Sequence, residues 1–532
     1  MFNKNQHLMQ ANMSTALNPR TPRLLLAVII LAICGVFIHG LYGYSGVDLV
    51  SVHAFGSDDA YISYRYAKNL FDGYGLVFNP NEYVEGYSNF LYTLLLTPAF
   101  WLPQLPIYIY SLTLNAILLA LAIAIFHHKL KKQFSEQQSI VGSTLLAANP
   151  FIWANAATGL ETMLVLVTTL LIWVSVDTYI KTGKRLDFFY WLFFVAISIL
   201  VRIDGFLLPL IGIIYLFIKE KHKSAIVSLI FVSTLMVIYT IWRLYYYQDI
   251  IGNTYYAKVS GDILDRVSSG FYFLKENAFR GGLWLYFLAV VFSISNIIKS
   301  PLIRLQNINF PLLYSSLFLL YLVYIGGDIY YERFLISFFP FGIYLLLLHI
   351  PSNFKKPYIY IIFACILFIQ SIPVIKDHRF NYQSKKYDAW IELGLFLKQY
   401  FPNTTLATGA AGKIPYYSEL RTIDILGLND KHIGKLKNSL IPFHVGHNKY
   451  DPQYVFSLKP DLIATWIDPN LDMRQGMYKK LYQREYQLKF LVNTTRVSQK
   501  SNIIDVSTAD ETTINSLISN GYNYGVLLRL KE

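Results

Sequence analysis

Charged side chains and cysteines are what this chain has least of. Only 15% of its 532 residues are Asp, Glu, Lys or Arg, against roughly 25% in an average soluble chain. That is too little polarity for a surface that faces water throughout, and so apolar a composition excludes disorder, collagen and coiled coil. The two cysteines, Cys34 and Cys365, both lie inside apolar runs, which excludes a disulfide scaffold and a cysteine-based zinc site. Internal repeats, low-complexity linkers and Gly-rich nucleotide loops are missing as well. No tight His/acid constellation demands a metal. The expectation is no cofactor, although the Asp58-Asp59 pair is compatible with a weakly held divalent cation.

What is there instead is apolar and aromatic: 54% hydrophobic residues, with 42 Tyr and 37 Phe. Apolar runs near the ~20 residues needed to cross hydrocarbon fall at 24–42, 106–126, 139–157, 160–180, 187–203, 205–218, 224–246, 281–298, 310–326, 334–350 and 357–375. The first is too long, and lacks the small-residue cleavage site, for a secretory signal. The net charge of +13 does not point to nucleic acid, because of where it sits. Lys/Arg clusters at Lys4/Arg20/Arg23, Lys129–Lys132, Lys181/Lys184/Arg185, Lys219/Lys221/Lys223, Lys299/Arg304 and Lys355/Lys356 alternate with connections poor in positive charge. The positive-inside rule reads these as cytoplasmic and external sides. Residues 45–88 hold six acids against Arg65 and Lys68 and are read as an external loop. Residues 89–103, interrupted by Pro98 and Pro103, are read as a re-entrant or interfacial segment at the outer face, since a crossing there would put His127–Lys132 outside.

The expected architecture is a polytopic α-helical membrane protein of about eleven transmembrane helices, amino terminus cytoplasmic. Residues 1–375 form the membrane module and 376–532 an extracytoplasmic α/β domain. In that domain the pattern predicts a helix over 387–400 and strands over 405–407, 422–426, 461–466 and 526–530.

The unusual polar clusters fall on the external side. They are Ser57-Asp58-Asp59, Glu85 to Asn89, Thr158-Gly159-Leu160-Glu161, Arg202-Ile203-Asp204-Gly205, Asn253 to Lys258, and Gly326-Gly327-Asp328 with Arg333. Ionisable groups at membrane depth are costly and usually face a cavity, so their convergence on one face points to a single site. Each has a blander reading alone. Asp58 and Asp59 could merely complement a helix dipole, Glu161 could be a first-turn acid, and Lys258 could be solvated. Arg202–Asp204 and Asp328–Arg333 could be interface ion pairs. Helical spacing also places Asp58, Tyr61 and Arg65 on one stripe, and an ionised carboxylate at a helix start suits a general base.

The segment Asp58-Asp59-Ala60-Tyr61-Ile62-Ser63-Tyr64-Arg65-Tyr66-Ala67-Lys68-Asn69-Leu70, with Gly73 to Glu85 after it, closely resembles the first external loop of the mycobacterial cell-wall terminal arabinofuranosyltransferase family. Those are GT-C-type glycosyltransferases that use polyprenyl-phosphate sugars. The likeness continues in order through Ala157 to Glu161, Leu200 to Asp204, Tyr245-Tyr246 with Thr254 and Ala257-Lys258, Gly326-Gly327-Asp328 with Arg333, and Asp424 with Gly427-Leu428-Asn429. Two departures stand out. The family's Arg-Pro-Glu reads Arg202-Ile203-Asp204 here, and its Tyr-Gly and Pro are replaced around Gln248–Asn253.

The resemblance implies a GT-C fold in a bacterial inner membrane and catalysis resting on Asp58 and Asp59. It implies transfer of a sugar, for instance a pentofuranose such as arabinose, from a polyprenyl phosphate to an envelope glycan or glycolipid. Asp58 is expected as the base, because it shares the Arg65 stripe, and Asp59 as a hydrogen-bonding partner of donor or acceptor. Tyr61, Arg65, Glu85, Asn89, Glu161, Arg202, Asp204, Lys258, Asp328 and Arg333 form the expected substrate-binding set. Within it Arg202, Lys258 and Arg333 would meet the phosphate charge. Single displacement with inversion is the simplest scheme. A transporter or flippase of a lipid-linked sugar is the competing class, disfavoured by the missing repeat. The same fold acting on protein or lipid A remains open. The 376–532 domain is expected to bind acceptor or cover the site, with residues 424–429 nearest the membrane module.

Overall fold

A computed structural model describes residues 20–41, 56–258, 262–280, 283–299, 305–328, 330, 332–350, 363–369, 372, 388–437, 449–494 and 502–530. The long α1 (Arg20–Leu41) is followed by the polar α2 (Asp58–Phe71), the short α3 (Phe90–Leu96) and the long α4 (Ile107–Lys131). Next come α5 (Glu136–Ala147), α6 (Pro150–Ala156), α7 (Thr162–Thr182), α8 (Arg185–Val201), α9 (Leu207–Ile218) and α10 (His222–Tyr247). The module closes with α11 (Asn253–Lys258), α12 (Ile263–Arg280), α13 (Trp284–Ile298), α14 (Phe310–Ile325) and α15 (Phe339–Leu348), with a helical stretch at 363–369 beyond them.

Among the described residues, four helices, α1, α4, α7 and α10, are long and apolar enough to cross a membrane, and a fifth crossing results if the bent pair α12–α13 is one span. Other described apolar runs fold as shorter pieces, and most of the expected span 357–375 lies outside the described residues. The run at 139–157 is cut because Asn149 accepts from the Phe151 and Ile152 N–H groups and Pro150 starts a new helix, a cap that hydropathy does not see. The segment 89–103 forms α3 and a 3₁₀ turn, Thr97–Trp101. Those twelve residues rise about 18 Å, well short of the ~30 Å hydrocarbon core. One core runs through the bundle around Phe126, Trp173, Trp191 and Phe341. The α10 helix leaves Ile230, Val237, Ile238 and Ile241 exposed, as a helix against lipid does. The chain is a polytopic helical membrane protein.

The carboxy-terminal domain begins with α16 (Ala389–Tyr400), β1 (Thr405–Thr408), α17 (Lys413–Ser418) and β2 (Arg421–Asp424). It continues through α18 (Lys431–Gly434), α19 (Pro452–Ser457), β3 (Leu462–Trp466), α20 (Lys479–Tyr482), β4 (Tyr486–Val492), β5 (Ile503–Asp505), α21 (Glu511–Ser519) and β6 (Tyr524–Arg529). Its six strands run in the order β2-β1-β3-β6-β4-β5. The β1 strand is parallel to both β2 and β3, while β6 is antiparallel to β3 and β4. Leu393 and Leu397 of α16 pack on one face with Leu406 and Phe490; Ile433, Val455, Tyr482 and Ile514 pack on the other. The parallel register puts the carboxyl ends of β1, β2 and β3 on one edge, and loops from that edge meet the membrane module.

Candidate functional site

The first turn of α2 sends its two carboxylates in different directions, as successive residues ~100° apart must. The Ser57 N–H donates to Thr158 O at 2.8 Å, which fastens the start of α2 to the turn that carries Glu161. That turn depends on Gly159, whose φ is +81° and where a Cβ would stand 2.2 Å from the Tyr64 hydroxyl. The Tyr92 hydroxyl donates to its carbonyl at 3.1 Å.

Asp59 faces a polar chamber with about 370 Å³ of unfilled space, its mouth included, lined also by Ser63, Asn89, Glu161, Lys258 and Arg333 and roofed by Leu428. The Lys258 ammonium is 4.0 Å from Asp59 Oδ2. Glu161 Oε2 accepts from Asn89 Nδ2 at 2.9 Å, and Asn89 Oδ1 accepts from the Ser63 and Thr93 hydroxyls at 3.0 and 3.1 Å. A chain of hydrogen bonds thus sets Glu161, and the turn above it sets the backbone.

Glu161 and Arg333 also line a second cavity, with about 730 Å³ of unfilled space, between α7, α9 and α14. Arg202, Asp204 and Tyr321 complete its polar end, and Val165, Leu208, Phe318 and Leu322 make the rest apolar. Arg202 pairs with Glu161 and, at 2.8 Å, with Asp204, whose other oxygen accepts from the Tyr321 hydroxyl at 2.9 Å. The shorter carboxylate in the Arg202-Ile203-Asp204 run therefore still reaches its arginine. Arg333 pairs with Asp328 at 2.7 Å. Both guanidiniums lie over the Phe334 ring, Arg202 at 4.8 Å and Arg333 at 5.0 Å from its centroid. Two cations thus converge at the polar end of the slot, beside the wall that it shares with the chamber.

Asp58 does something else. Its carboxylate accepts from the Gly412 and Lys413 N–H groups at 3.1 and 2.8 Å, in the loop after β1. The Lys413 ammonium pairs with Asp388 and lies 5.6 Å from the Tyr61 ring centroid. A Cβ on Gly412 would stand 1.8 Å from Asp58 O, so only glycine permits this approach. Burial pushes the Asp58 pKa up to about 6, with the Asp59 and Asp388 charges adding and the Lys413 N–H and ammonium opposing.

Arg65, expected to orient Asp58 and bind substrate, is instead spent on docking. It donates to the carbonyls of Phe78, Pro415 and Leu420 at 2.7, 2.5 and 2.7 Å and to Asn79 Oδ1 at 3.0 Å. Tyr61, likewise expected at the substrate, is fully buried among Tyr64, Tyr416 and Tyr417. Glu85 pairs with Arg243 of α10 at 2.8 Å, and its carbonyl accepts from the Asn253 N–H at 3.0 Å. Burial pushes its pKa up against the pull of Arg243. These three side chains assemble the module. Their composition matched a site because docking a polar loop needs the same charged and aromatic groups.

Asn89, Glu161, Arg202, Asp204, Lys258 and Arg333 are brought together at the two cavities, with Asp328 behind Arg333. Sequence reasoning missed Ser63, Tyr321, Phe334 and the roof residue Leu428. Ser63 was legible, since it stands one helical turn from Asp59. Leu428 lies in the 424–429 segment expected nearest the membrane module, where it lines the chamber, although the pattern did not single it out as a lining residue. Asn253 Nδ2 donates to the carbonyls of Gly427 and Leu428 at 2.8 and 2.9 Å, and Tyr66 donates to Asn429 Oδ1 at 3.1 Å, which pins the roof. Among the described residues, no group of three or more His, Cys, Asp or Glu side chains stands close enough to hold a metal ion.

The Asp58 contact gives an expected pH dependence. A buried acid with a raised pKa binds more protons in the docked state. Its stabilisation is therefore complete below about 4 and is lost as pH rises through about 6. In Asp58→Asn this dependence should vanish. The variant's Tm, measured on full-length protein in detergent, should rise relative to wild type between pH 4 and pH 7. An offset that stays constant over that range would show that Asp58 does not titrate in the docked state.

Residues 376–511 match a family described as "Domain of unknown function (DUF8728)". No curated protein matches the sequence. The structure is similar to that of ArnT from Cupriavidus metallidurans bound to undecaprenyl phosphate, with a TM-score of 0.56 and 11% identity over 94% of this chain and 97% of that one. It is also similar to the Archaeoglobus fulgidus oligosaccharyltransferase in complex with zinc and sulfate (TM-score 0.52, 9% identity, 90% and 73% covered). A third similar structure is AglB from the same organism with an inhibitory peptide and a dolichol-phosphate (TM-score 0.52, 10% identity, 91% and 74% covered). At such identities the likeness is one of fold: a GT-C membrane fold with a carboxy-terminal α/β domain.

Proposed function

We propose that this protein is a glycosyltransferase that moves a sugar from a polyprenyl-phosphate donor to an envelope glycan or glycolipid. The observation that carries this reading is the shared wall. Glu161 and Arg333 belong both to a polar chamber and to an apolar slot, the two environments that an amphipathic lipid-phosphate donor needs at once. ArnT, of the same fold, was solved with undecaprenyl phosphate bound, which supports this ligand chemistry.

In this reading the prenyl chain lies along Val165, Leu208, Phe318 and Leu322, and the phosphate meets Arg202 and Arg333 at the slot's mouth. The sugar projects into the chamber. An acceptor hydroxyl attacks the anomeric carbon as the bond from that carbon to the phosphate oxygen breaks. The bonding pair leaves on the phosphate, already anionic and needing no proton. The hydroxyl proton passes to Asp59, the α2 acid in the chamber. The Lys258 ammonium stands 4.0 Å from that carboxylate. A single displacement, with attack opposite the departing phosphate, inverts the anomeric centre. Arabinose is one sugar compatible with this scheme.

The test is transfer itself. Detergent-purified protein given a panel of polyprenyl-phospho-sugars should release polyprenyl phosphate and glycosylate an acceptor, and envelope glycans of cells lacking the gene should lose a terminal sugar. No turnover with any lipid donor, together with unchanged glycans, would overturn the reading.

The proposed orientation places the chamber and the carboxy-terminal domain outside a bacterial inner membrane. Reporters at residues 130, 183, 221 and 355 should then read cytoplasmic, and those at 70 and 450 external. A cytoplasmic reading at 450 would reject both the orientation and an external lipid donor.

A further inference from the structure

We propose that a cleft in the carboxy-terminal domain, at the end of β3, is a saccharide-binding subsite that holds the acceptor chain. It rests on the reading above that the acceptor is a glycan. The cleft has about 650 Å³ of unfilled space, its mouth included, and its walls carry Trp466, Asp468, Asp472, Arg474, Tyr478 and Asn523. None of these belongs to the chamber or the slot.

The chemistry of the lining is specific. A sugar ring offers C–H faces that stack on aromatic rings and an equator of hydroxyls that both donate and accept. Carboxylates accept only, guanidinium donates only, and an amide does both. Trp466 and Tyr478 supply the faces, and Tyr478 is 47% exposed. Asp468, Asp472, Arg474 and Asn523 supply the polar partners. Such a mixture of aromatic walls and a few fixed polar groups is how small-molecule clefts orient ligands.

The walls are also built to stay in place. Trp466 pairs in register with Tyr524 of β6, and its ring packs edge-on against Trp390 at 5.6 Å. The Arg474 N–H donates to Trp466 O at 2.9 Å, and its guanidinium lies 5.2 Å from the Trp466 ring centroid. Between β3 and α20 the chain forms a tight double-back, with Met473 bridged to both Ile467 and Met477. Asp468 Oδ1 accepts from the Asn470 and Asp472 N–H groups at 2.8 and 3.1 Å, and Asp472 Oδ1 from the Lys479 N–H at 2.7 Å. Leu471 and Gln475 hold φ values of +61° and +59°, conformations that non-glycine residues rarely adopt and that cluster at ligand sites.

Position ties this cleft to the chamber. The carboxyl ends of β1, β2 and β3 share one edge of the sheet. The loop after β1 grips Asp58, and the loop after β2 carries the roof residue Leu428. The loop after β3 forms the cleft. The Tyr524 hydroxyl is hydrogen-bonded to Thr408 Oγ1 at 2.9 Å, joining β6 to the end of β1. Neighbouring strands are ~4.8 Å apart, and β1 pairs directly with β3, so the loop that forms the cleft leaves the sheet one strand away from the loop that grips Asp58. A chain whose end enters the chamber would have its preceding sugars along this edge.

Full-length protein in detergent, applied to an array of defined bacterial oligosaccharides, provides the test, with the strongest hit titrated by tryptophan fluorescence. Wild type should capture oligosaccharides, and Tyr478→Ala and Trp466→Ala should each weaken capture at least tenfold. Because Trp466 also packs on Trp390, Asp468→Asn serves as a polar-wall variant and should weaken capture without lowering Tm. Asp59→Asn should capture as wild type does while losing transfer. Absence of capture by wild type, or capture unchanged in Tyr478→Ala and Asp468→Asn, would overturn the proposal. If transfer persists while capture does not depend on the cleft, the subsite is wrong and the glycosyltransferase reading stands. If capture depends on the cleft but no lipid donor is turned over, the subsite stands and that reading fails.

Discussion

Asp59→Asn is expected to abolish detectable sugar transfer while the protein still inserts, folds and binds the lipid donor. The substitution preserves size and deletes basicity, and a lost general base typically costs ~10²–10⁴-fold in rate. Asp59 lines the chamber with Glu161, Asn89 and Arg333 and has the Lys258 ammonium 4.0 Å away. Asp58, one residue earlier, has its carboxylate on the Gly412 and Lys413 N–H groups and does not line the chamber. Asp58→Asn should therefore lower activity by loosening the carboxy-terminal domain, with a defect that eases when Tm is restored by a bound donor. Activity measured on both variants, alongside lipid-donor binding, decides the matter. Wild-type turnover by Asp59→Asn would end its assignment as base, and complete loss in Asp58→Asn at unchanged Tm would return the role to Asp58.

Arg333→Gln should have the second largest effect. Arg333 lines both cavities, so in the proposed reaction it is a cation placed to meet charge developing on the phosphate as the sugar departs. Removing one such stabiliser typically costs ~3–4 kcal/mol, or about 10²–10³-fold in kcat. The substitution also leaves the buried Asp328, its partner at 2.7 Å, without a counter-charge, which destabilises a fold on its own account. The double variant Asp328→Asn/Arg333→Gln separates the two effects: stability should recover and transfer should not. Recovery of both would make Arg333 a structural residue. Arg202→Ala should be less cleanly separable, because Arg202 already pairs with Glu161 and Asp204. Its loss frees two carboxylates at once.

Much of this was legible in one dimension, and for a physical reason. Lipid forces a spanning helix to be apolar along its length, so composition alone revealed a membrane protein, and the fall in apolar content after residue 375 revealed an α/β domain. Polar residues that survive in such surroundings are costly, so Asn89, Glu161, Arg202, Lys258 and Arg333 stood out before any contact was known. Hydropathy could not see where the apolar runs break, because the break at Asn149-Pro150 is a capping event between side chain and backbone. Only tertiary structure decided which polar residues face the cavities and which hold the parts together. Asp58, Asp59 and Arg65 are all charges on one amphipathic helix, and helical spacing alone paired Asp58 with Arg65 as a site. Their roles diverge because the β1 loop, far along the chain, supplies bare N–H groups to one, and carbonyls of Pro415 and Leu420 occupy another. A sequence records which side chains need a partner; which partner arrives is settled by packing between segments that local pattern does not connect.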